Sequence, residues 1–171
     1  IIKGDQSSVA YDNQVTAETH NQMMENFKAQ GFEAIDMEQF VNFMYNNDYI
    51  PERSALIISD DRHHEGYWYD HFYPYYEKYG WKVINGWISA PDTTEALWAE
   101  NVKVEKEGYV DHQAHGVVHN INMSDASTDD FIYGELQGSV DKILEYYGKK
   151  PIGIIWPGGS FGFRPIEIAK E

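Results

Sequence analysis

The chain has 171 residues and no cysteine, enough length for one domain with a sizeable core over 1–171, and no thiol nucleophile, disulfide framework or cysteine zinc site. Apolar residues at 42% and aromatics at 15% exclude a disordered chain. The 28 acidic against 13 basic residues leave a net charge of −15, which argues against nucleic acid and anionic membranes but does not oppose a neutral or cationic glycan.

In chain order, residues 1–14 open on a short strand pattern followed by a polar loop. The start Ile1-Ile2-Lys3 has no initiator Met and no signal peptide, as expected of a processed or excised piece. Thr16 is an N-cap for a helix to about Gln30, ended by Gly31, with Met23, Met24 and Phe27 as its apolar stripe. Asp36 and Gln39 form a capping box ahead of Met37, Phe40, Val41 and Met44 at helical spacing. After Asn46-Asn47-Asp48 and Pro51, the run Ala55-Leu56-Ile57-Ile58-Ser59 reads as a buried parallel strand that ends in Asp60-Asp61.

The pattern then alternates. A helix is expected over 67–79 and a strand over 82–88, then a helix boxed by Asp92 and Glu95 to about Lys106. A strand over 109–113 delivers His115. A helix over 129–147 carries Ile132, Leu136, Val140, Ile143, Leu144 and Tyr147 in stripe. A strand over 152–156 delivers Pro157-Gly158-Gly159, and a last helix begins near Arg164. Alternating strands and helices imply an α/β fold with a parallel sheet, open or barrel-like. No run approaches the length of a membrane span.

Two clusters carry chemistry. Strand ends of this kind deliver functional groups, and here they deliver Asp60-Asp61 and His115-Gly116-Val117-Val118-His119. One carboxylate and two imidazoles from separate strand ends can supply three ligands of a catalytic metal site. Neighbouring carboxylates in an extended segment point different ways, so one can bind metal while the other accepts a proton. The plainer alternative is a solvated Asp pair and a surface His pair. His63, His64 and His71 read as surface residues, and His20 as facing water. The 13 Tyr and 5 Trp serve core packing or stacking on sugar rings.

The same residues resemble the polysaccharide deacetylases, the NodB-homology family of carbohydrate esterases (family 4). That family's first motif is a strand followed by Thr-Phe-Asp-Asp-Gly; the slot here reads Ile58-Ser59-Asp60-Asp61-Arg62. The second, His-(Ser/Thr)-x-x-His, reads His115-Gly116-Val117-Val118-His119. The third, often Tyr-Pro-Tyr-Gly, reads Trp156-Pro157-Gly158-Gly159. The lead-in Gln30-Gly31-Phe32, Asp36 to Phe40 and Pro51 is similar to the permuted branch that holds the poly-N-acetylglucosamine deacetylases.

The resemblance implies a distorted (β/α) barrel, incomplete at its C-terminus if the chain is truncated. It implies Asp60 as general base and Asp61, His115 and His119 as ligands of one divalent metal, zinc first and cobalt or nickel as alternatives. Trp156, Pro157 and Gly158 would meet substrate, the Gly158 N–H stabilising an oxyanion. The substrate would be an acetylated polysaccharide, of N-acetylglucosamine type or a plant or cell-wall glycan, and the location the cell envelope or exterior. Three departures stand out. Arg62 replaces a glycine, Gly158 replaces a Tyr, and Lys3-Gly4-Asp5 stands where the permuted branch has its acid His. The alternative reading is therefore a catalytically weakened relative that binds glycan without turnover.

Overall fold

The computed structural model describes residues 2–3, 14–118 and 121–171. His119, Gly4 and Asp5 lie outside the described residues. The Thr16 hydroxyl accepts the Thr19 N–H at 3.1 Å and opens α1, Ala17–Ala29. A strand that the sequence did not announce, β1 (Glu33–Ala34), leads to α2 (Met37–Asn46), which starts on the expected capping box. The Gln39 N–H reaches Asp36 Oδ1 at 2.9 Å and the Asp36 N–H reaches Gln39 Oε1 at 3.0 Å.

The apolar run ahead of Asp60 is divided between two partners. Its start, β2 (Ser54–Ala55), pairs in parallel with β1; its end, β3 (Ile58–Asp60), pairs in parallel with β4 (Val83–Trp87). The three-stranded sheet has the order β3-β4-β5, with β5 at Val110–Ala114. Among the described residues β3 is thus an edge strand, with Ser59 buried and Ile58 52% exposed, not the fully buried strand the run suggested. β4, between two neighbours, is buried at every position.

The expected helix over 67–79 is two: α3 (Glu65–His71) and α4 (Tyr73–Tyr79). Pro74 stands in the first turn of α4 and has no N–H to continue α3, so the chain breaks at Phe72. α5 (Glu95–Glu107) is capped by the Thr94 hydroxyl rather than by Asp92. α6 (Asp129–Tyr147) starts at Thr128 and buries Ile132, Glu135, Ser139 and Ile143; Leu144 is 43% exposed. The buried stripe is therefore rotated from the one apolarity alone drew.

The expected strand over 152–156 is reduced to one parallel bridge, Ala114 to Ile154. It runs into a 3-10 turn, Pro157–Gly159, and the chain closes with α7, Phe163–Ala169.

The main core gathers Ile2, Trp68, Phe72, Val83, Val104, Tyr109 and Val110. A second cluster holds Met24, Tyr75 and Trp81. His20, expected to face water, is 8% exposed and packs edge-on against Phe72 and Tyr75. Burial pushes its pKa down to about 4. Among the described residues no helix is long and apolar enough to cross a membrane. Because β3, β4, β5 and the Ile154 bridge are all parallel, the segments after Asp60, Ala114 and Ile154 emerge on one side of the sheet.

Candidate active site

Asp60 ends β3 opposite Gly86, and the Asp61 N–H donates to the Gly86 carbonyl at 2.9 Å. Asp61 then turns into the left-handed region at φ 75°, which Asp tolerates better than most residues. Two bonds hold that turn. Asn85 Nδ2 donates to the Asp61 carbonyl at 3.2 Å, and the Arg62 N–H donates to Asp61 Oδ1 at 2.7 Å. The guanidinium of Arg62 does not crowd the Asp pair. It reaches the loop after β4, where Nη1 meets Asp92 Oδ1 at 2.6 Å and Thr93 Oγ1 at 3.1 Å.

His63 is not a surface residue. Its Nε2 donates to the Asp60 carbonyl at 2.8 Å, and its ring stacks on Tyr67 with centroids 3.8 Å apart. Burial holds its pKa below the usual imidazole value. The buried Asn101 side chain donates to the His63 carbonyl at 2.9 Å, tying this loop to α5. His64 is exposed as expected and faces Glu100 at 3.0 Å.

His115 follows β5 and is buried. Its Nδ1 lies 2.5 Å from the Ile155 carbonyl, an oxygen that can only accept, so Nδ1 carries the proton. In the neutral ring Nε2 then keeps its lone pair, and it stands 4.0 Å from Asp60 Oδ2. This is the tautomer of a metal-ligating His whose other nitrogen is fixed by a carbonyl. Gly86 makes room for the ring: a Cβ there would lie 2.9 Å from Ile155 Cβ and 3.1 Å from His115 Cγ.

The third segment is tied to the site through that Ile155 carbonyl. Trp156 is half-buried and 6.1 Å from the ring of Phe161, and Pro157 is buried. Gly158 has φ 63°, and a Cβ there would come within 2.6 Å of Asn122 Oδ1, so this backbone favours glycine over the family's Tyr. The structure thus brings Asp60 to His115 and places Asp61, Arg62 and His63 in one locked loop. Among the described residues no three of His, Asp and Glu gather closely enough to hold a metal; the predicted third ligand, His119, is outside them.

The sequence reading missed Asn85, Gly86, Asn101 and Glu135. Asn101 and Glu135 had a signal: each is a polar residue at helical spacing among apolar ones, Asn101 with Trp98 and Val104, Glu135 with Ile132 and Ile143.

The sequence profile of the polysaccharide deacetylases matches residues 49–171, which include both motifs and the Pro157 turn. The chain belongs to the polysaccharide deacetylase family. No curated protein matches it in sequence. Among solved structures, a Streptococcus pyogenes deacetylase, PplD, in complex with acetate is similar at 18% identity and a TM-score of 0.79, over 99% of this chain and 76% of that one. A de-N-acetylase from Aggregatibacter actinomycetemcomitans is similar at 15% identity and a TM-score of 0.79, over 99% and 80%. A family 4 acetyl xylan esterase from Clostridium thermocellum in complex with a cobalt ion is more distant, at 14% identity and a TM-score of 0.53, over 66% and 53%. At these identities the likeness is one of fold, the NodB-homology α/β type with parallel strands.

Proposed function

We propose that this member of the polysaccharide deacetylase family is a metal-dependent deacetylase of an acetylated glycan. Asp60 is the general base, and Asp61, His115 and His119 hold one divalent metal. The observation that carries the reading is the His115 pair of contacts: Nδ1 fixed on the Ile155 carbonyl, Nε2 open and 4.0 Å from Asp60 Oδ2. Two imidazoles and a carboxylate suit zinc, cobalt or nickel better than calcium or magnesium. The cobalt complex of the acetyl xylan esterase supports the same choice.

When bound, the metal supplies polarisation of the acetyl carbonyl and of the attacking water. The chain's own residues do the rest. Asp60 takes the proton of that water, and the His63 bond to its backbone carbonyl steadies the strand end that carries it. The Gly158 N–H would donate to the developing oxyanion. Trp156 offers an aromatic face to a sugar ring. We read residues 1–171 as one domain acting at the cell envelope or outside the cell.

A second reading keeps the glycan and drops the turnover. The leaving amine or hydroxyl needs a proton, and the slot where the permuted branch carries its acid His holds Lys3-Gly4-Asp5. Acetate release from a chito-oligomer and from an acetylated chromogenic ester, each with zinc and with chelator, decides between them. Chelator-sensitive release supports the enzyme. Zinc binding and glycan binding without release would leave the binding module.

A further inference from the structure

α6 buries four side chains, and two of them are polar: Glu135 and Ser139. A carboxylate on the buried face of a helix is costly unless its oxygens are met by donors. Glu135 is met by backbone. Its Oε2 accepts the Val117 N–H at 2.8 Å and the Val118 N–H at 2.9 Å, with Oε1 at 3.2 Å from the latter. Ser139, one turn further along, faces the His115 N–H at 3.4 Å. Gly116 is shaped around this contact: its φ is 82°, and a Cβ there would lie 2.7 Å from Glu135 Oε2. The polar pair of α6 is therefore spent on residues 115–118.

We propose that Glu135 is a positioning residue for the metal ligands: its buried carboxylate, capping the Val117 and Val118 N–H groups, holds the turn that follows His115. The role rests on the metal reading given above. A charged acceptor on two amides is stronger than a neutral one, and it fixes the turn before any ligand arrives. Outer partners of this kind typically set metal affinity within about 10- to 100-fold.

The test uses Glu135→Gln, with Ile143→Ala on the same buried face as a control for simple loss of stability. Gln keeps the size of the side chain and one oxygen for the two N–H groups, but it loses the charge and sets an NH2, a donor, where Oε1 meets the Val118 N–H. In the metal-free protein, amide exchange at Val117 or Val118 is expected to quicken about tenfold, with the β4 amides unchanged. Zinc affinity, read by competition with a chromophoric chelator, is expected to fall at least about tenfold in Glu135→Gln. It should stay within about twofold in Ile143→Ala, whose change lies in the packing of α6. Unchanged exchange at both valines overturns the cap. Equal zinc loss in both variants overturns the positioning role and leaves Glu135 a structural residue. A parent chain that holds no zinc overturns the metal reading itself, while the exchange arm still judges the cap.

Discussion

His115 Nε2 and Asp60 Oδ2 face each other at 4.0 Å across the C-terminal ends of β3 and β5. The neighbouring Asp61 carboxylate takes the Arg62 N–H within its own loop. The two Asp residues are thus held differently, and their amides should behave differently. Asp61→Asn should cut zinc occupancy and any acetate release together. Asp60→Asn should keep the metal and lower turnover by about 10²- to 10⁴-fold, the usual contribution of a positioned base. Metal content by mass spectrometry beside acetate release separates the roles. Loss of zinc in Asp60→Asn would make Asp60 a ligand and sink the division of labour.

The elements that could be read in the sequence were those with local signals. Caps at Thr16 and Asp36 fixed helix starts, and the helix ends expected at 79, 106 and 147 fall within a residue of those found. The Asp60-Asp61 motif stood at a strand end because an apolar run precedes it, whereas the strand into His115, Val-Asp-His-Gln-Ala, was marked by its place in the alternation of strands and helices. What escaped depended on partners distant in sequence. The split of the run before Asp60 follows from β1 and β4 claiming different halves of it. The burial of His20 follows from α4 packing over α1, and the phase of α6 follows from the amides at Val117 and Val118.

His20 makes stability depend on pH. Its folded pKa is lowered to about 4 from an unfolded value of 6.5 by burial against Phe72 and Tyr75, with His71 also beside it. Between those values the unfolded chain binds the proton more readily. The contribution is therefore intact above pH 6.5 and is lost as pH falls toward 4, about 3 kcal/mol in all. Urea melts of the parent and of His20→Phe at pH 7.5 and 4.5 check it. The aromatic variant should lose much less stability on acidification. Parallel losses in the two proteins would mean that His20 is solvated.

Asn101 is the junction between α5, the His63 loop and β5. Its Oδ1 accepts Trp68 Nε1 at 2.9 Å and His112 Nε2 at 3.0 Å, and its Nδ2 donates to the carbonyls of His63 and Leu97. Asn101→Leu removes every one of these bonds while keeping similar bulk. Each buried group left unpaired costs about 1–3 kcal/mol, so a loss above about 3 kcal/mol is expected. Chemical denaturation reads it directly. A loss below about 1 kcal/mol would show that water or a shifted side chain replaces the amide.

Gly86 sets the seat of His115. In Gly86→Ala the added methyl meets Ile155 and the imidazole at 2.9 and 3.1 Å, and the first of these is a β-branched carbon beside the Ala114–Ile154 bridge, with the Ile155 N–H held on the Ala114 carbonyl at 2.9 Å. Overpacking of this kind costs about 1–3 kcal/mol. Because the ring must shift from the Ile155 carbonyl, zinc affinity should fall along with stability. A crystal structure of the variant with His115 Nδ1 still on that carbonyl, and full zinc affinity, would refute the tight fit.

Restoring the family's Tyr at position 158 is the obvious attempt to raise activity, and the backbone argues against it. Gly158 holds φ 63°, where a side chain costs about 1–2 kcal/mol. The clash of a new Cβ with Asn122 Oδ1 at 2.6 Å adds less, because an exposed Asn side chain can turn aside. Gly158→Tyr should therefore lose about 1–2 kcal/mol, and Gly158→Ala should lose the same, since the cost lies in the backbone and not in the ring. Neither should raise acetate release, because the change supplies no acid for the leaving group. Paired denaturation curves separate the two costs. If Tyr destabilises far more than Ala, the ring and not φ is at fault. If Tyr raises acetate release, the turn adapts, and the missing side chain was limiting the chemistry.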